Sequence, residues 1–129
     1  MPRPKGKSEL LTTVELEFMM VLWRIGEGTV RDVLDILNQD EKRAYTSVAT
    51  VLKVMHDKGY VTSTKRDRTF VYAPALSKKD YERRTLKNIS KTLFDGAPTA
   101  LVASLVDDED ISEETIREIR DIIDTRFGR

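Results

Sequence analysis

Three hydroxyls and one cation, Thr46, Ser47, Thr50 and Lys53, share the polar face of a helix that the sequence predicts over residues 46–58. Side chains of this kind can read nucleic acid. Thr and Ser hydrogen-bond to several base edges, a Thr methyl packs on the methyl of thymine, and Lys favours guanine O6 and N7. Tyr45, at the helix start, joins them as a base-contact candidate. Behind the helix comes a charged run, Lys65-Arg66-Asp67-Arg68, between two stretches rich in strand-forming residues. Lys65, Arg66 and Arg68 are candidates for backbone or minor-groove contact, and Arg43 for a phosphate beside the helix start. Phosphate contacts of this kind position a protein on the duplex without specifying sequence.

The elements that must hold these residues can be read from spacing. Val48, Val51, Leu52 and Met55 recur at i, i+3, i+4 and i+7, the buried stripe of the helix, and Gly59 follows as the residue of positive φ that ends it. The strands are expected at 60–64 and 69–73, with 65–68 as the tip and Pro74 as the stop. Phe70 and Tyr72 fall on one face of the second strand and Val71 on the other. Upstream, Thr12 with Glu15 and Thr29 with Asp32 form capping boxes that open two further helices. The first presents Val14, Phe18, Val21, Leu22 and Trp23, with Met19 and Met20 as core filler, and stops at Gly26. The second presents Val30, Val33, Leu34 and Leu37 and ends in the polar loop 38–42. The order α-α-α-β-β, with a basic hairpin tip, is that of a winged helix-turn-helix.

Composition narrows the function further. The chain has 129 residues and no cysteine, so disulfides, thiolate metal sites and thiol redox chemistry are excluded. Charged residues make up 34% and interrupt every apolar run, which leaves no membrane span, and no secretory leader is visible. A cytoplasmic location is expected. Net charge is zero, but its distribution is uneven. Between residues 42 and 68, Lys42, Arg43, Lys53, Lys58, Lys65, Arg66 and Arg68 face only Asp57 and Asp67; between 107 and 124, nine acids face Arg117 and Arg120. One side of the molecule would attract DNA and another repel it, although solvated faces also collect charge. No Ser-His-Asp set, paired carboxylates or Gly-rich phosphate loop occurs. His56 reads as an ordinary surface or partly buried residue, and the consecutive acids at 107–110 lack the alternating spacing of a calcium loop. No enzyme activity, cofactor or metal is expected.

From Ser77 the character changes. A third capping pair, Ser77 with Asp80, opens a long helix to Asp95 with a basic outer side, and Gly96 stops it. A short apolar helix over 98–106 and a last helix, capped by Ser112 and striped by Ile116, Ile119, Ile122 and Ile123, complete the chain. These helices carry too many apolar residues for a tail and too few for a core of their own. Pooling them between two chains solves both problems and matches the two half-sites of a palindromic DNA target. The expected organisation is a disordered basic arm at 1–8, a winged helix at 9–75 and a three-helix dimerisation region at 76–129.

The runs at 11–23 (LTTVELEFMMVLW), 44–61 (AYTSVATVLKVMHDKGYV) and 111–123 (ISEETIREIRDII) resemble the BlaI/MecI/CopY, or penicillinase repressor, family of bacterial regulators. The resemblance covers residues 9 to 125. It implies a homodimeric repressor with a winged helix on double-stranded operator DNA, and carries the family's major-groove face onto Thr46, Ser47, Thr50 and Lys53. In the β-lactam-responsive branch a regulatory protease cuts before a Phe; by register that bond falls here between Ser104 and Leu105, with Leu in place of Phe. The cysteine motif of the copper-responsive branch is absent. The competing expectation is a winged helix that serves protein–protein contact without DNA.

Overall fold

In the computed structural model, residues 10–39 and 42–126 are described. The basic arm expected at 1–8 lies outside them. α1 (Thr13–Ile25) and α2 (Val30–Leu37) each open under a complete capping box. The Glu15 N–H donates to the Thr12 hydroxyl at 3.1 Å and the Thr12 N–H to the Glu15 carboxylate at 2.9 Å. Thr29 and Asp32 exchange the same pair at 3.1 and 3.0 Å. α3 (Tyr45–Asp57) follows, and Gly59 adopts φ +87°. That conformation, open to glycine without a Cβ penalty, turns the chain into the hairpin.

β1 (Val61–Arg66) and β2 (Thr69–Pro74) pair antiparallel with Lys65 opposite Phe70 and Arg66 opposite Thr69. The tip is therefore two residues, not four. Asp67 and Arg68 take φ +49° and +69°, the double left-handed geometry of the tight hairpin turn whose twist matches the strands. The wing is tied to the helices through Gly28. Its N–H donates to the Tyr72 carbonyl at 2.9 Å and its carbonyl accepts from the Tyr72 N–H at 2.8 Å. A Cβ on Gly28 would lie 2.9 Å from Ile25 Cδ1 and 3.2 Å from Asp32 Cβ, so a larger residue there would have to shift both side chains.

Phe18, Met19 and Leu22 of α1, Val33 and Leu34 of α2, and Val48, Leu52 and Met55 of α3 form the core, closed by Tyr60, Val61 and Tyr72. Two expectations for α1 need correction. Val14 and Met20 are 46% and 48% exposed, whereas Met19 is wholly buried. A helix with apolar residues on several faces buries the stripe that its neighbours cover, and here that stripe runs through Glu15, Phe18, Met19 and Leu22. Phe70, expected on the face of Tyr72, is 51% exposed because it lies beyond the reach of the core at the tip.

Buried Glu15 carries a charge that Lys58 answers at 2.7 Å. Burial pushes its carboxyl up, but the Lys58 hydrogen bond and the Thr12 N–H outweigh that and hold it below the usual glutamate range. A folded pKa below the unfolded one means stability that is complete above about pH 4.3 and lost as pH falls through the folded value. Glu15→Gln is expected to cost about 1 kcal/mol at neutral pH and to flatten this part of the acid limb. Urea unfolding from pH 3 to 7 checks it: an unchanged acid slope would remove Glu15 as the source.

Beyond the wing lie α4 (Lys78–Leu93), α5 (Pro98–Val106) and α6 (Glu113–Arg126). The chain divides into two compact units, Met1–Leu86 and Lys87–Arg129. The first includes the start of α4. Tyr81 lies with its ring 5.9 Å from that of Trp23, its hydroxyl accepts from the Leu11 N–H at 3.0 Å, and Trp23 Nε1 donates to the Leu76 carbonyl at 2.9 Å. In the second unit packing is thin. Among the described residues α4, α5 and α6 bury none, and Leu93, Leu105 and Ile122 are 73%, 59% and 67% exposed. No described helix is long and apolar enough to cross a membrane.

Candidate nucleic-acid interface

α3 buries one apolar stripe and turns most of the candidate base-reading side chains outward. Val48, Leu52 and Met55 are wholly buried, while Thr46, Ser47, Thr50 and Lys53 are exposed on the opposite side. The first turn holds no acidic residue and Ala44 provides no side-chain cap, so the partial positive charge of the helix start is left uncompensated. The Thr50 hydroxyl donates to the Thr46 carbonyl at 2.8 Å. That internal bond uses its proton, so outward Thr50 presents a methyl group and acceptor lone pairs. Tyr45 is exposed, with the Arg31 guanidinium 5.4 Å from its ring centroid. Arg31 was not among the sequence candidates. It sits in the first turn of α2, 14 residues before Tyr45, and only the fold brings the two together.

The cations expected on phosphate are not equivalent. Arg43 is fixed where the chain enters α3: its N–H donates to Asn38 Oδ1 at 2.8 Å, and its guanidinium meets both Glu17 oxygens at 3.0 and 3.2 Å. Arg66 is held in the same forked way by Glu27, at 2.7 and 3.2 Å. The hydrogen bond and charge of each raise the Arg66 pKa and lower that of Glu27, although both groups are exposed. A phosphate would have to displace these carboxylates. Lys65 extends over the Phe70 ring at 5.8 Å. Arg68 at the turn and Lys53 on α3 are exposed and take part in none of the ion pairs among the described residues. They are the cations most readily offered to a polyanion.

Val54 also escaped the sequence reading. It is 41% exposed and follows Ser47 and Thr50 by seven and four residues, which places it on their face. An aliphatic residue outside the buried stripe of α3 was the available clue. Ser104 and Leu105 lie in the last turn of α5, both exposed. His56 Nδ1 lies 3.8 Å from the carboxylate of its neighbour Asp57.

Comparison with known proteins points the same way. A sequence model of a family described as penicillinase repressor matches residues 11–125. The methicillin resistance regulatory protein MecI of Staphylococcus aureus is 22% identical over 121 residues, 94% of this chain and 98% of that protein. The penicillinase repressor of Bacillus licheniformis is 24% identical over 119 residues, 92% of this chain and 93% of that protein. Among solved structures, the DNA-binding domain of the repressor BlaI matches with a TM-score of 0.51 and 27% identity, covering 60% of this chain and 94% of that one. Monomeric Bacillus licheniformis BlaI in complex with the blaP half-operator matches with a TM-score of 0.50 and 28% identity, over 58% and 92% of the two chains.

Proposed function

The chain belongs to the penicillinase repressor family, DNA-binding transcriptional repressors rather than enzymes, and from that premise we propose that it binds a pseudo-palindromic operator as a homodimer. Repression is by occlusion of the promoter. The face of α3 bearing Tyr45, Thr46, Ser47, Thr50 and Lys53 reads base edges in the major groove. Arg68 and Lys65 meet phosphate from the wing, and Arg43 and Arg66 do so once released from Glu17 and Glu27. Functionally the chain divides into a basic arm at 1–8, a winged helix at 9–75 and a dimerisation region at 76–129. One observation carries the reading: α3 turns short polar side chains and Lys53 outward while its entire opposite face is core. The solved BlaI complex with its half-operator, a structural neighbour of the winged helix, supports it. A protease that opens the exposed Ser104–Leu105 bond would release the operator by separating the half-sites.

A gel shift on DNA taken from upstream of the chain's own gene, with unrelated DNA as competitor, tests the reading. A discrete shift that weakens steeply with salt is expected, by orders of magnitude if about six or more phosphates are contacted. Binding only to protein partners, with little response to salt, would favour the alternative suggested by exposed Phe70. Two substitutions separate the proposed roles. Thr50→Ala should relax sequence preference at the base pair it reads. Arg68→Ala should weaken binding to all sequences alike and reduce the salt slope by about one. The reverse assignment of effects would mean that the wing reads sequence and that α3 does not.

A further inference from the structure

The outward face of α3 is not uniformly polar. Val54 stands there, 41% exposed, one turn beyond Thr50, and adds nothing to the core that Val48, Leu52 and Met55 complete. Thr50 contributes to the same patch. With its hydroxyl proton given to the Thr46 carbonyl at 2.8 Å, it shows its methyl group and lone pairs rather than a donor. Valine and the threonine methyl thus form a small apolar step on the face that also carries Thr46, Ser47 and Lys53. In the major groove an apolar step has one matching group on unmodified DNA, the C5-methyl of thymine.

We propose that Val54, supported by the Thr50 methyl, is a specificity-determining residue that packs on a thymine methyl, so that each operator half-site carries a T·A pair at the position under it. The inference rests on the reading of α3 as the recognition helix and adds the chemistry of one recognised base. Valine offers no hydrogen bond, so the discrimination is entirely between a methyl group and its absence.

Single thymine to deoxyuridine replacements through the footprinted operator remove that methyl and leave every hydrogen-bonding edge intact. The natural chain should lose affinity about three- to fivefold at one position in each half-site, as expected for one buried methyl. Val54→Ala should bind the thymine operator with a similar loss and should no longer distinguish thymine from uracil at that position. Val54→Thr, which keeps one methyl, should retain part of the discrimination. Tolerance of uracil at every position by the natural chain would overturn the proposal, as would sensitivity that persists unchanged in Val54→Ala. Failure of the natural chain to bind any operator fragment would instead overturn the DNA-reading function itself, and the two failures are read from different lanes.

Discussion

Replacing Ile122 and Ile123 together by glutamate is expected to leave the chain folded but monomeric, and to lower its affinity for a two-half-site operator by about 10²- to 10⁴-fold. The reason lies in what the second unit lacks. α5 and α6 bury no described side chain, and Leu93, Val102, Leu105, Ile122 and Ile123 are all exposed. Helices that expose their apolar stripes gain little from folding alone, and in the proposed homodimer the same stripes would supply the self-complementary patch. Ile122 and Ile123 are 67% and 49% exposed, so glutamate there meets water in a single chain and desolvates only against a second copy. Light scattering should report a monomer. The diagnostic pair of gel shifts uses one operator with both half-sites and one with a single half-site. Loss confined to the first would show that the second chain contributes through effective concentration. An equal loss on both would place the damage in the winged helix, and an unchanged dimer would exclude α6 from the interface.

Much of this architecture was legible in the sequence because it is local. A capping box needs a Thr and an acid three residues apart, and both predicted boxes on α1 and α2 formed with their reciprocal hydrogen bonds. Gly59 announced the end of α3 because only a residue free of Cβ turns there at φ +87° without strain. Long-range pairings were not legible. Glu17 and Arg43 are 26 residues apart, and Glu27 and Arg66 are 39 apart, so no spacing rule associates them. The sequence therefore presented Arg43 and Arg66 as cations directed at phosphate, whereas in the free chain each holds a carboxylate. The two-residue hairpin tip was not legible either, because Asp67-Arg68 lacks the glycine that usually marks such a turn, yet both residues adopt positive φ. On α1, Met19 and Met20 look alike in the sequence, and only the position of the neighbouring helices decides that the first is core and the second is surface.

The wholly buried Leu52 provides the second large effect. Leu52→Ala is expected to destabilise the first unit by about 2–5 kcal/mol, through lost transfer energy and the cavity left in a packed core. A small domain holds only about 5–15 kcal/mol in total, so this loss takes a large share of the stability and lowers the temperature at which the unit unfolds. Leu52 occupies the same helix as Thr50 and Lys53 but the opposite face, and this separates two ways of losing repression. In Leu52→Ala the apparent affinity should fall in proportion to the fraction folded, while preference among base sequences stays unchanged in the molecules that bind. In Thr50→Ala the melting transition should stay within about 0.5 kcal/mol of the natural chain while preference relaxes. Urea unfolding of both variants, followed by competition among single-base operator changes below the transition, reads both quantities. Altered preference in Leu52→Ala would mean that the seating of α3, and not only the side chains it displays, determines which bases are read.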